Sequence, residues 1–175
     1  YKYDGSVKAY TLNSGINGFT IAYKQGETDV TEPKDVGTYD VIISRTEDGT
    51  YAAFSQTITG GLVITAADYP VTIKADKTSM TGSGTVKLTV SNSVAGINVT
   101  GITCSDSSIV VAKNADSTYS ATLPNETKTY TFTAVVEGVS ANYGNGPATC
   151  TVSVTRRSSG GGSSGGGSSS SGSSY

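Results

Sequence analysis

The chain has 175 residues, with 12 basic and 14 acidic side chains and a net charge of −2. No basic block occurs to attract a polyphosphate backbone, so no nucleic-acid partner is expected. Histidine and tryptophan are absent, which removes the commonest general base and metal ligand and weakens any sugar platform built on stacked indoles; no cofactor, metal or enzymatic activity is expected.

Apolar runs such as Leu62-Val63-Ile64 fall far short of the roughly 18–20 residues of a membrane span, so no membrane insertion is expected. Thr, Ser, Val, Gly and Tyr dominate while Leu, Glu, Lys and Arg are sparse, a balance that favours strands and turns over helices. The composition predicts an all-β protein. The chain opens on Tyr1 with its single methionine at Met80, so a part of a longer, exported polypeptide is expected.

In chain order, Asp4-Gly5 is a turn signal, and a strand is predicted from Ser6 to Leu12. Phe19, Ile21 and Tyr23 alternate with Thr20, Ala22 and Lys24, the period-2 pattern of a strand with one buried face. Tyr39, Val41 and Ile43 alternate in the same way after Gly37, with Ile42 interrupting the polar face. A further strand pair is predicted at Tyr51–Thr59 and Leu62–Thr65, with Gly60-Gly61 as a tight hairpin or a bulge between them.

Tyr3-Asp4-Gly5, the Asp35-Val36-Gly37-Thr38-Tyr39-Asp40-Val41 stretch, Tyr51 and Leu62-Val63-Ile64-Thr65 occur in that order. In this the segment resembles the YDG or MBG-type repeat of bacterial surface proteins over roughly residues 1–67. The resemblance implies a stalk or adhesin module of a tandem array on a cell surface. It carries no catalytic residues; Tyr3 and Tyr39 would be core residues and Gly37 a turn.

Ala66-Ala67-Asp68-Tyr69-Pro70 reads as a short junction, with Pro70 forcing an extended approach to the next strand. Strands are predicted at Val71–Ala75, Thr85–Ser91, Asn98–Cys104, Ile109–Lys113, Thr118–Leu123, Lys128–Glu137 and Ala148–Thr155. Seven short strands suit an immunoglobulin-like sandwich. The Ser105-Asp106-Ser107-Ser108 turn before Ile109-Val110-Val111 also resembles bacterial Ig-like domains in outline, which implies a spacer or adhesive module. The expected division is a YDG/MBG-like β module at 1–67, an Ig-like β-sandwich at 68–157, and a Ser/Gly-rich linker at 158–175, predicted to be a disordered tether spanning on the order of 23 Å. Both modules are expected to be small β-sandwiches.

Cys104 and Cys150 are the two cysteines, and an even count in an exported protein favours a disulfide between them, with two buried thiols as the alternative. The Asn142-Tyr143-Gly144-Asn145-Gly146 stretch reads as a loop tip, and Asn142, Tyr143 and Asn145 are candidate ligand contacts, set against an ordinary hairpin turn. Tyr1, Tyr69 and Tyr143 are the tyrosines expected to be exposed. Asp29, Glu32 and Asp35, like Glu47 and Asp48, read as solvated turns, because neither group has the spacing of a calcium loop. A Lys–Asn isopeptide crosslink would need a buried triad that sequence cannot reveal. The expected function is a non-catalytic stalk fragment of a cell-surface or secreted adhesin-like protein, monomeric and in contact with neighbouring domains of its own chain. The alternative is an adhesive module that binds a glycan or a host surface protein.

Overall fold

The computed structural model describes residues 1–158. Among these the structure is all β, with three four-stranded sheets. From residue 159 onward, the expected Ser/Gly tether lies outside the described residues.

The first unit is one sheet. Strands β1 (Thr20–Gln25), β2 (Thr28–Val30), β3 (Gly37–Arg45) and β4 (Phe54–Ile64) pair antiparallel in the order β2-β1-β3-β4. The alternation of β3 is the reason for its position: Tyr39, Val41, Ile43 and Arg45 are buried, while the residues between them are half-buried or exposed. Leu62 and Ile64 join them to make the core.

The second sheet expected here is replaced by an irregular cover. Residues 6–12 are not a strand; the chain crosses the inner face of the sheet and drops Tyr3, Tyr10, Leu12 and Phe19 onto the core. Scattered bonds hold this cover, the Lys8 amide donating to the Pro33 carbonyl (2.7 Å) and the Tyr10 amide to the Tyr23 hydroxyl oxygen (2.8 Å). Such a path satisfies main-chain groups without a ladder.

Of the two readings of Gly60-Gly61, the bulge is correct: β4 is continuous, and its register to β3 shifts between Tyr39 and Val41. Gly60 adopts φ +63° and its amide donates to Asp40 Oδ1 at 2.8 Å. A Cβ on Gly61 would lie 2.9 Å from Val41 Cγ2, so the bend can press onto the core only without a side chain.

The second unit has two sheets. Strands β5 (Val71–Ala75), β7 (Gly84–Asn92), β10 (Tyr119–Leu123) and β9 (Val111–Lys113) form one, in that order. Strands β6 (Ser79–Thr81), β12 (Thr149–Thr155), β11 (Lys128–Glu137) and β8 (Asn98–Cys104) form the other, antiparallel except for the β6–β12 edge. One buried cluster draws on both, joining Ile73, Val86, Leu88, Tyr119, Ala121 and Leu123 to Ile102, Tyr130, Phe132, Val152 and Val154. The period-2 runs therefore point inward from both sides.

The expected disulfide is not formed: Cys104 and Cys150 are free thiols, each half-buried. The register explains why. Both stand opposite Phe132 of the strand between them, Cys104 on β8 and Cys150 on β12. Two strand spacings, about 9.5 Å, separate their backbones, whereas a disulfide needs Cα atoms within about 7 Å. They fill space beside the core as small apolar side chains, and burial raises the Cys150 thiol above its ordinary pKa.

Candidate functional site: the joint between the two units

The junction begins as a continuation of the first sheet. Thr65, just past β4, pairs in parallel with Lys2; the Tyr3 amide donates to the Thr65 carbonyl and the Thr65 amide to the Tyr1 carbonyl, both at 2.8 Å. Two residues on, Ala67 forms a parallel bridge with Tyr143, with its amide donating to the Asn142 carbonyl (2.9 Å) and its carbonyl accepting from the Gly144 amide (2.8 Å). The chain between the units is thus pinned on both sides by main-chain bonds.

Asn142 completes the joint with its side chain. Its Oδ1 accepts from the Val36 amide at 2.8 Å, and its Nδ2 donates to Asp35 Oδ1 at 2.8 Å. One amide therefore meets a donor and an acceptor on neighbouring residues of the first unit, a pairing that fixes which end is oxygen and which is nitrogen. Asp35 and Val36 are themselves held against the core, since the Tyr39 hydroxyl donates to the Asp35 carbonyl at 2.7 Å. The Tyr3 and Tyr143 rings meet edge to face across the joint, centroids 5.6 Å apart at 84°, a favoured aromatic geometry. Lys2 and Asp68 pair at 2.7 Å but are exposed, and such a pair adds little.

On the other side, Tyr143 packs with Tyr69, Val136 and Val139 against a small cluster of Val71, Ile97 and Ala134. A Cβ on Gly146 would lie 2.1 Å from the Tyr69 ring, so this turn can close over Tyr69 only as glycine.

Of the three candidate ligand contacts, Asn142 and Tyr143 are half-buried in the joint, and Asn145 is exposed at the turn with φ +62°, a conformation asparagine tolerates. Of the tyrosines expected outside, Tyr1 is exposed, whereas Tyr69 and Tyr143 are half-buried. Asp35, expected as part of a solvated turn, anchors the Asn142 amide. Cys104 and Cys150 lie in the second unit and take no part in the joint.

A second group was missed in the sequence. Arg45 sits at an inward position of β3 and is 8% exposed. Its guanidinium lies 4.1 Å from the centre of the Tyr51 ring and 5.8 Å from that of Phe19, and it pairs with Asp48. Asp48 also accepts from the Tyr51 and Thr50 amides, both at 3.0 Å; these bonds, then the one from Arg45, hold its carboxyl below its ordinary pKa. Phe54 meets Phe19 edge to face at 5.9 Å. Tyr51 and Phe54 remain 45% and 44% exposed. The available signal was a charge in the apolar register of β3, followed closely by two aromatic residues.

The remaining carboxylates are occupied by turns and lysines. Asp4, Asp106 and Asp116 have their pKa values pushed down mainly by hydrogen bonds from Lys8, Lys128 and Lys87. Among the described residues no group of three His, Cys, Asp or Glu stands together as a metal site, and no lysine ammonium is hydrogen-bonded to an asparagine side chain. No helix of the described residues is long and apolar enough to cross a membrane. No protein-family model matches the chain, and no curated protein matches it in sequence.

Proposed function

We propose that the chain is a non-catalytic spacer from a bacterial cell-surface or secreted adhesin-like protein. In this reading residues 1–67 are a YDG/MBG-type module and 68–157 an immunoglobulin-like β-sandwich, and their work is to hold a functional neighbour at a set distance and angle. The joint carries the reading. Asn142 uses both ends of its amide on the first unit, and Ala67 is bonded on both sides, an arrangement that restricts rotation between units. Small-angle scattering of the chain and of Asn142→Ala tests it: the spacer requires a narrow distribution of shapes that broadens in the variant.

A second reading, adhesion to a glycan or a host surface protein, is favoured by one observation. Asp48 and Arg45 hold Tyr51 in place with nearly half of its surface exposed beside Phe54, and a fixed exposed aromatic loses little entropy on binding. Glycan and matrix-protein arrays separate the readings. Blank arrays from a folded sample support the spacer, and a hit lost in Tyr51→Ala supports adhesion.

A further inference from the structure

Strand β4 is the outer strand of the first sheet, and an uncovered edge offers its free amides and carbonyls to any strand that can reach them. Natural edges are blunted by charge, proline, shortness or distortion. The other edges here show these devices. Strands β2, β6 and β9 have three residues each. Strand β5 carries Lys74 and follows Pro70, and the ladder of β8 is broken by the register shift at Val135/Val136.

Strand β4 has none of them over its first six residues, Phe54–Thr59, which precede the bulge. From Gly49 to Ala67 the sequence contains no charged residue and no proline. Residues 54–57 are exposed, and among the described residues the main chain of 54–59 makes no hydrogen bond outside its ladder to β3. The far end of the same edge already accepts a strand, since residues 1–3 pair beside Thr65.

We propose that this edge pairs with the same edge of a second copy of the chain, antiparallel about a two-fold axis, to make one continuous eight-stranded sheet. A second copy fits because the edge is neutral and opposes itself without like-charge contact. Cross-strand neighbours must share a face of the sheet. With Gln56 opposite its own symmetry mate, Phe54 lies across from Ile58 and Ser55 across from Thr57. That register sets an aromatic residue against a β-branched one on the core side, and hydroxyls against each other on the solvent side. Two such short segments bury less than a standard interface, so the dimer is weak and joins neighbouring spacers side by side. It replaces the expectation of a monomer at high local concentration.

Sedimentation equilibrium on the full chain tests the pairing, with Gln56→Lys and Gln56→Glu as probes. Gln56 is exposed, and amide hydrogen exchange of β1 and β3 in the first unit confirms that each variant is folded. The wild type is expected to dimerise with Kd on the order of 0.1–1 mM, and each variant alone about tenfold more weakly, because like charges then face each other. An equimolar mixture of the two variants is expected to recover at least the wild-type association. A wild type that stays monomeric through that range overturns the proposal, as does a variant that dimerises undiminished or a mixture no tighter than its parts.

Discussion

The two units use similar strands in different ways. The second closes its core from both sides: two sheets face one cluster in which Val86, Leu88, Leu123, Tyr130, Phe132 and Val152 have essentially no exposed surface. The first has one sheet and a cover of irregular chain, and its core thins along β4 from buried Leu62 and Ile64, through half-buried Ile58, to exposed Gln56 and Phe54. What differs is the partner of the apolar face. An apolar face can be closed by a ladder-forming sheet or by side chains dropped from a passing segment, and the second solution leaves one end open. There Arg45 takes the place of a core residue, and Tyr51 and Phe54 stay in contact with water.

The largest test of this contrast is to remove one central aromatic from each core. Phe132→Ala is expected to cost the second unit about 3–5 kcal/mol, and Tyr39→Ala to cost the first a similar amount. Because the two cores share no buried residue, each loss should appear in the urea transition of its own unit, followed by amide exchange. A single common transition shifted equally by both substitutions would break the comparison.

A smaller effect comes from acid. Asp4 and Asp48 in the first unit, and Asp106 and Asp116 in the second, have folded pKa values below their ordinary ones. The unfolded chain therefore takes up protons first, so their contribution is complete above about pH 4 and fades as pH falls through the lowered values. Melting temperatures at fixed salt should be flat above that point and fall below it. The side chains of Asp4, Asp48 and Asp116 are more than half exposed and that of Asp106 is 20% exposed, so the decline should be gradual in both units.

The smallest expected effect is that of reductant, which is none. Cys104 and Cys150 flank Phe132 from opposite sides and do not bond. The melting temperature should not change with added thiol, and unfolding without reductant should expose two titratable thiols. Fewer than two would contradict the register.

Strands set off by turn residues were legible in the sequence: the bounds Val71–Ala75, Asn98–Cys104 and Lys128–Glu137 match β5, β8 and β11. The short edges β2 and β6 were not. Thr28–Val30 and Ser79–Thr81 have no room for a pattern and are strands because of the neighbour they lie beside. Residues 6–12 fail in the opposite sense, since strand-like composition cannot tell a segment that joins a sheet edge from one that crosses its face. The joint was legible only as a loop. The sequence marks Asn142 and Tyr143 as residues suited to contact something, but Asp35 and Val36, which receive Asn142, lie more than a hundred residues away in sequence.

The central claim is that the joint holds the two units at one angle. Nitroxide labels on Glu47→Cys and Ala112→Cys, with Cys104 and Cys150 replaced by alanine, report the distance between the units by double electron–electron resonance. A single narrow distribution is predicted, broadening in Asn142→Ala, where the Val36 amide and the Asp35 carboxylate lose their shared partner at a cost of about 1 kcal/mol. A distribution already broad with Asn142 in place, or one unchanged by its removal, would contradict the account.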